Sequence, residues 1–330
     1  MRTRCLAIVA LLATAVGVLA CADRSPATSG FRVALVAPGS IADAAWNSGA
    51  FRGLERIRDS LGARISHVEA LTPSAQEEAL RTYAAQGYDV VFGNGFEFQD
   101  PAERVARDYP RTVFVVNSGA RAANRVVPLV FRIEEATYLA GMVAGGLTRS
   151  NRIGFVGGVE LPPVRRGYEG WRNGARATNA KIDSRVTYLN NWEDAAAGKE
   201  AAAALLRAGA DMLHHNADAA ALGAFQAVKE TPGAYIFGAN GDQKALAPDR
   251  VVGSAVIDLS HAFLVVAREV REGRFESRVH TFGLASEVLR YVPNPALDSL
   301  VPRSLVARVA AAADSIAAGT LDPLANPPLP

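Results

Sequence analysis

The segment at residues 41–48, IADAAWNS, separates an apolar run typical of a β-strand from an amphipathic run typical of an α-helix. In an open α/β sheet, ligands bind in the crevice outside the carboxyl ends of the strands. Asp43, Trp46 and Asn47 therefore place a carboxylate, a flat apolar ring and an amide at one edge of such a crevice. This combination predicts a binding cleft rather than a catalytic centre.

The rest of the chain repeats this alternation of short apolar runs and amphipathic runs of helical length. Ser74-x-x-Glu77, a capping box, and Asp100-Pro101 predict two of the helix starts. Strands alternating with helices indicate right-handed βαβ units and parallel sheets. Because eight or more such units exceed one doubly wound sheet, we expect two lobes with a boundary near residues 119–131. The predicted strands are 31–37, 63–70, 88–92, 112–116, 152–156, 185–189, 211–215, 235–238 and 251–257.

The first twenty residues have the features of an export signal. Arg2 and Arg4 precede an apolar run from Leu6 to Leu19, which is too short for a comfortable membrane span. No stop-transfer pattern follows it, so residues 1–20 are predicted to be a signal peptide. Val18-Leu19-Ala20-Cys21 resembles a bacterial lipobox, in which the cysteine is lipidated and cleavage occurs just before it.

The cysteine content agrees with this interpretation. Of the two cysteines, Cys5 lies in the segment to be removed and Cys21 would become the first residue of the mature chain. Residues 21–30 are small and polar and would tether the lipid to the folded body. We therefore expect an exported protein that is lipid-anchored on the extracytoplasmic side of a bacterial membrane. Cleavage by ordinary signal peptidase, with Cys21 incidental, is the alternative.

The sequence contains no pattern typical of catalysis. None of the five histidines has the spacing of a zinc site, and the adjacent His214 and His215 are expected to be structural unless one faces the cleft. There is no G-x-S-x-G elbow or phosphate-binding loop, and residues 154–158 lack the dinucleotide-binding spacing. The net charge of +2 gives no reason to expect nucleic acid as a partner. We predict neither an enzyme nor a cofactor or metal site.

Aromatic, amide and carboxylate side chains recur where predicted strands end. Such groups suit a flat ligand with polar edges, such as a nucleobase, or a sugar, because each stacked base contributes about 1–3 kcal/mol. The alternative is that the rings are core residues and the polar groups cap helices and turns. The candidates are Asp43, Trp46, Asn47, Asn94, Phe96, Phe98, Asn117, Asn190, Asn191, Trp192, Asn216, Asn240 and Asp242.

Several ordered motifs lie among these candidates. They are Asp43-Ala44-Ala45-Trp46-Asn47, Gly95-Phe96-x-Phe98-x-Asp100, Phe131-x-x-Glu134-Glu135-Ala136-x-Tyr138-Leu139-Ala140-Gly141, Gly154-Phe155-Val156-Gly157-Gly158 and Gly241-Asp242-Gln243. In this order the chain resembles, over about residues 31–322, the basic membrane protein family of lipoproteins, the purine nucleoside receptors of ATP-binding-cassette (ABC) importers.

The resemblance implies a type I periplasmic-binding-protein fold, in which two α/β lobes with doubly wound parallel sheets are joined at a hinge by three crossovers. The N-lobe would comprise residues 31–120 plus 256–280, and the C-lobe residues 121–255 plus 281–330. It also implies a substrate-binding lipoprotein whose partners are a small nucleoside-like molecule and ABC permease and ATPase subunits. A lipoprotein that reports its ligand to a membrane signalling protein is the alternative, and an enzyme on the same frame is disfavoured.

By position in the family, Trp46 on the first lobe would stack on the base and Asn47 would form a hydrogen bond with it. Asn117 replaces the family's aspartate after the fourth strand. A second aromatic wall would come from Trp192 or from the loop at 216–222.

Two positions depart from the family pattern. The family's ribose-binding aspartate is Asn240 here, and its lysine falls on Ile257. An unpaired polar group in a closed cleft costs about 1–3 kcal/mol, and isoleucine cannot hydrogen-bond sugar hydroxyls. We therefore expect a free nucleobase, another flat heterocycle, or a nucleoside held differently.

Overall fold

The computed structural model describes residues 30–43 and 45–325. The predicted signal peptide at 1–20, the lipidation site Cys21 and the tether before Gly30 lie outside the described residues. From Phe31 onward, the described residues form one compact unit. Among the described helices, none is both long and apolar enough to cross a membrane.

The described strands follow the predicted alternation. In chain order they are β1 (Arg32–Ala37), β2 (Arg64–Glu69), β3 (Val90–Gly93), β4 (Val113–Asn117), β5 (Val126–Phe131), β6 (Arg152–Gly157), β7 (Asp183–Tyr188), β8 (Met212–Asn216), β9 (Tyr235–Asn240), β10 (Val251–Ile257), β11 (His280–Phe282) and β12 (Leu289–Pro293).

The α-helices occupy most of the connections between these strands. They are α1 (Trp46–Leu61), α2 (Pro73–Ala85), α3 (Gln99–Ala106), α4 (Ile133–Leu147), α5 (Pro162–Thr178), α6 (Ala195–Arg207), α7 (Ala221–Glu230), α8 (Leu259–Arg271) and α9 (Arg303–Ala317).

Two six-stranded sheets form the two lobes. The first has the order β11-β5-β4-β3-β1-β2 and is parallel throughout. The second has the order β12-β10-β9-β8-β6-β7, and only β12 runs antiparallel to its neighbour. Helices cover both faces of a parallel sheet, which explains why β3 and β4 are apolar and wholly buried.

The chain crosses between the lobes three times, at 131–133, 257–259 and 282–284. After the second crossover, α8 returns to the first lobe, where Phe263 stacks on Phe92 with ring centroids 4.0 Å apart. These crossovers at one side of the two sheets form the hinge.

The lobe boundary differs from the predicted one. The prediction begins the C-lobe at residue 121, but β5 pairs with β4 and belongs to the first sheet. Pro128 makes this run look like a loop, because proline cannot donate a hydrogen bond within a central strand. Since β11 pairs only with Leu129–Phe131, Pro128 lies where β5 is an edge strand, and proline is tolerated there.

Two predicted helix starts also shift by a few residues. Thr72, not Ser74, caps α2, and its hydroxyl accepts a hydrogen bond from Ala75 N at 3.3 Å. The helix expected to open at Asp100-Pro101 begins at Gln99, after a short 3₁₀ turn. Both helices remain in the predicted places.

Candidate ligand-binding cleft

A cavity lies between the lobes at the carboxyl ends of the parallel strands. It contains about 560 Å³ of space free of protein atoms, part of it open to solvent. Ligand pockets commonly combine apolar walls with a few polar groups, and this cavity has both. Its lining residues are Pro38, Trp46, Gly95, Phe96, Glu97, Ser118 and Phe131 from the first lobe, and Ile133, Leu161, Pro163, Val164, Trp192, Asn216, Asp218, Asn240 and Ile257 from the hinge and second lobe.

Trp46 forms the aromatic wall of the first lobe. It is the first residue of α1 and only 9% exposed. Its indole Nε1 donates a hydrogen bond to the carbonyl of Asn94 at 3.0 Å. The ring also meets Phe131 edge-on, with centroids 6.3 Å apart. These two contacts fix the orientation of the indole before any ligand arrives.

Trp192 lines the cavity from the second lobe, in the loop after β7. Its ring lies against Gly158, where a Cβ atom would overlap the indole. Its carbonyl accepts a hydrogen bond from Ala220 N at 2.8 Å, which ties the loop to the start of α7. Gly158, the last glycine of the predicted G-F-V-G-G motif, therefore makes room for this ring.

Asp43 holds the start of α1 instead of lining the cavity. Its carboxylate is 3% exposed and accepts hydrogen bonds from three backbone N–H groups. These donors are Ala45 N at 3.0 Å, Asn47 N at 2.6 Å and Ser48 N at 3.0 Å. The carboxylate thus satisfies donors that the first turn of a helix leaves without intrahelical partners.

The predicted base-binding amides are also engaged inside the protein. Asn94 Nδ2 donates to Asn47 Oδ1 at 2.8 Å, and Asn117 Nδ2 donates to Asn94 Oδ1 at 2.5 Å. Neither Asn47 nor Asn117 lines the cavity. Asn117 Oδ1 is buried and has no hydrogen-bond partner among the described residues. These three amides form a hydrogen-bonded row next to Trp46. The Asn94 carbonyl accepts the hydrogen bond of the indole and so helps to hold the ring in place.

The side chains of Asn240 and Asn216 lie close together at the base of the cavity in the second lobe. Asn240 Nδ2 lies 3.3 Å from Asn216 Oδ1 and 3.5 Å from Asp218 Oδ1. Asn240 and Asp218 both adopt left-handed backbone conformations, with φ of 63° and 44°. This unusual backbone turns both residues after their strands and into the cavity lining.

Asp218 is a lining residue that the sequence reasoning did not single out, although the loop at 216–222 was a candidate. It is 8% exposed. Burial raises its pKa well above the usual value, and the nearby charges of Asp43, Glu97 and Glu193 raise it further. The available signal was a carboxylate inside an otherwise small and apolar run, ADAAALG.

Two further carboxylates belong to this region: Glu97 lines the cavity, and Glu193 follows the lining residue Trp192. Burial raises the pKa of Glu97, which follows β3. Burial, and then the charges of Asp43 and Glu69, raise the pKa of Glu193, the neighbour of Trp192. The cleft is therefore acidic as well as aromatic.

Asp242 and the histidine pair lie outside the cavity lining. Asp242 pairs with Lys244 Nζ at 2.5 Å. His214 Nδ1 donates to the carbonyl of Phe237 at 3.0 Å, and His215 Nε2 donates to Gln243 Oε1 at 2.8 Å. Burial lowers their pKa values to about 3 and about 4, so both are neutral at pH 7 and serve the core of the second lobe.

Most remaining candidates also have structural contacts. Phe98 is fully buried in the first lobe. Asn191 Oδ1 accepts a hydrogen bond from Asp194 N at 2.9 Å. Asn190 has a left-handed backbone, with φ of 59°. Phe96, in contrast, lines the cavity. Across the described residues, no group of three or more His, Cys, Asp or Glu side chains could hold a metal ion.

Comparisons with known proteins agree with this architecture. The Bmp family, described as "ABC transporter substrate-binding protein PnrA-like", matches residues 31–311. The "ABC transporter nucleoside-binding protein BmpA" of Lactococcus lactis subsp. cremoris is 27% identical over 83% of this chain and 87% of its own. The "Putative ABC transporter glucose-binding protein TsgA13" of Haloferax volcanii is 32% identical over 67% of this chain and 56% of its own.

A solved structure shares both sequence and shape with the chain. The ABC transporter solute-binding protein from Conexibacter woesei is 30% identical, with a TM-score of 0.73 over 90% of this chain and 99% of that one. This similarity, with the two parallel-sheet lobes, confirms the predicted type I periplasmic-binding-protein fold.

Proposed function

Because the chain belongs to the Bmp family of PnrA-like ABC transporter substrate-binding proteins, we propose that its interlobe cleft binds a purine nucleoside or a related nucleobase or heterocycle. It binds this ligand without converting it and delivers it to an ABC permease and ATPase. The name of the Lactococcus relative supports the nucleoside class. The name of the Haloferax relative refers to glucose, so the ligand class rests on the residues of this cleft.

The observation that carries the proposal is the pair of tryptophans on opposite lobes. Trp46 and Trp192 line one cavity, and each is anchored by a backbone hydrogen bond. A flat ring between them would contact both lobes at once. Binding proteins of this fold class close their two lobes around the ligand by a hinge motion. A ligand that contacts both lobes therefore favours the closed form.

The polar floor supports a base more than a ribose. The family positions for the ribose-binding aspartate and lysine are occupied by Asn240 and Ile257, and both line the cavity. Ile257 presents only apolar atoms there. The amides of Asn216 and Asn240 can donate and accept, which matches the edge of a heterocycle.

The amino terminus completes the proposal. A signal peptide at 1–20 and a lipid on Cys21 would hold the protein on the extracytoplasmic side of the membrane. Radiolabelled palmitate incorporation, abolished by Cys21→Ser, tests this part independently of the cleft.

Calorimetry with guanosine, inosine, adenine and hypoxanthine tests the ligand class. The protein from Phe31 onward binds at least one of them, and the bases bind as well as the nucleosides. Tight binding of nucleosides without detectable binding of hypoxanthine would contradict the nucleobase proposal.

A pair of variants tests the site itself. Trp192→Ala weakens binding by about 1–3 kcal/mol, or roughly 5- to 150-fold, because one stacking surface is lost. Leu222→Ala is the matched control, since Leu222 is 43% exposed in the same region and does not line the cavity. Equal affinities of the two variants would place the ligand elsewhere.

A further inference from the structure

The cleft collects negative charge from both lobes. Glu97 of the first lobe and Asp218 of the second lobe line it directly. The charges of Asp43 and Glu193 act on Asp218 as well as that of Glu97. Like charges on facing walls repel, so the carboxylates of the closed cleft must either take up protons or face a positive charge between the walls.

The protein supplies no offsetting cation among the described lining residues. They include no lysine, arginine or histidine. Asp218 is more than nine-tenths buried, and its nearest side-chain donor is the neutral amide of Asn240 at 3.5 Å. Buried charges are normally paired, because an isolated ionised carboxylate in a low-dielectric site carries a large desolvation cost. Ile257, which lines the same cavity, presents only apolar atoms.

The walls around these carboxylates are aromatic. Trp46, Phe96, Phe131 and Trp192 line the same cavity. Aromatic faces attract cations, and the attraction is stronger when the cation is desolvated. Aromatic walls with buried carboxylates therefore favour a cation that also has a flat or apolar body. A bare metal ion fits poorly, because no group of three or more ligating side chains occurs in the described part of the chain.

We propose that the ligand of this cleft is an organic cation, a protonated or N-alkylated heterocycle that places its positive charge beside Asp218 and Glu97. This rests on the proposed function in one respect only, which is that the ligand occupies the space between Trp46 and Trp192. It deepens that proposal by assigning the charge of the ligand.

Three adenosine derivatives separate charge from shape. 1-Methyladenosine is cationic at pH 7, its isomer N6-methyladenosine is neutral, and adenosine is the neutral parent. Calorimetry on the protein from Phe31 onward should give at least tenfold tighter binding of 1-methyladenosine than of N6-methyladenosine. Equal or weaker binding of the cation would overturn the proposal while leaving the cleft as a nucleoside site.

Asp218→Asn tests the assigned residue. It keeps the shape of the side chain and removes the charge, so the preference for 1-methyladenosine should fall to less than threefold. Asp249→Asn is the matched control, because Asp249 is exposed beside Arg250 at 3.6 Å and should leave the preference unchanged. A preference that survives Asp218→Asn would contradict the role of Asp218.

Proton release is a second readout. Cation binding favours the ionised form of carboxylates whose pKa values are raised in the empty cleft, so protons leave on binding. Titrations in phosphate and in Tris, which differ in ionisation enthalpy, should give different apparent enthalpies for 1-methyladenosine and equal ones for N6-methyladenosine. Loss of this difference in Asp218→Asn is expected.

A second probe pair separates the two proposals if no purine binds. Choline is cationic, and 3,3-dimethylbutan-1-ol is its neutral isostere. Binding of choline alone, without binding of any purine, would contradict the nucleoside proposal and the heterocyclic part of this one, and would support a cationic ligand. If neither choline nor 1-methyladenosine binds more tightly than its neutral counterpart, the cationic assignment is wrong.

Discussion

Replacing Asp43 with alanine should destabilise the folded protein far more than removal of an ordinary helix cap. Asp43 is buried and accepts three backbone hydrogen bonds, from Ala45, Asn47 and Ser48. Losing a capping side chain costs about 0.5–2 kcal/mol, and hydrogen bonds to a charged group contribute about 1.5–3 kcal/mol. Removing the carboxylate also relieves repulsion with Asp218, which offsets part of the loss. We therefore expect the free energy of unfolding to fall by about 2–3 kcal/mol.

Asp194→Ala provides the comparison. Asp194 caps α6 from an exposed position and accepts one backbone hydrogen bond, from Ala197 N at 2.9 Å. Its loss should cost about 1 kcal/mol. Urea unfolding followed by far-ultraviolet circular dichroism at pH 7 measures both variants. If Asp43→Ala is within about 0.5 kcal/mol of Asp194→Ala, the carboxylate is not the anchor of α1 and our account of this segment is wrong.

The remaining predictions concern packing and pH. Gly158→Ala should displace the Trp192 ring, lower stability by about 1–3 kcal/mol and weaken ligand binding about tenfold, measured by urea unfolding and calorimetry. Gly167→Ala, whose Cβ would lie 3.7 Å from the nearest atom, should leave both unchanged or stabilise the helix. Because folding lowers the pKa values of His214 and His215, the unfolded chain binds more protons than the folded protein below about pH 6.5. Stability should therefore fall by about 1.4 kcal/mol per pH unit per histidine as the pH drops from about 6 towards 4. His214→Phe should reduce this slope by about half in unfolding curves at several pH values, and an unchanged slope would contradict it.

The two-lobed fold could be predicted because it depends on local patterns. Apolar runs and helix starts recur along the chain, and the family motifs occur in order. β5 escaped prediction because Pro128 lies in it, and its place in the first sheet depends on pairing with β4 and β11. The pairing with β11 joins distant parts of the chain and leaves no local trace.

The site could be predicted only in part, for a similar reason. Trp46 and Trp192 were identified as rings after strands, and both line the cavity. Asp43 and Asn47 have the same types of side chain, yet backbone donors and a neighbouring amide occupy them. Only the packing distinguishes a polar group that is hydrogen-bonded within the protein from one that faces the ligand. Asp218 could be recognised only from the fold, which places its loop in the cleft.

The apolar side of the cavity could not be predicted from the sequence either. Leu161, Pro163 and Val164 line it from the start of α5. In the sequence they look like ordinary helix-start and core residues. Their role depends on the approach of the two lobes, which no spacing within the chain encodes.

Native mass spectrometry of the purified protein from Phe31 onward shows which molecule the cleft holds after isolation from cells. We expect one organic molecule per chain, of purine nucleoside or nucleobase size. It should be absent from the double variant Trp46→Ala/Trp192→Ala, while circular dichroism shows that the variant is folded. A bound molecule that persists in the folded double variant would contradict the claim that the ligand lies between these two rings.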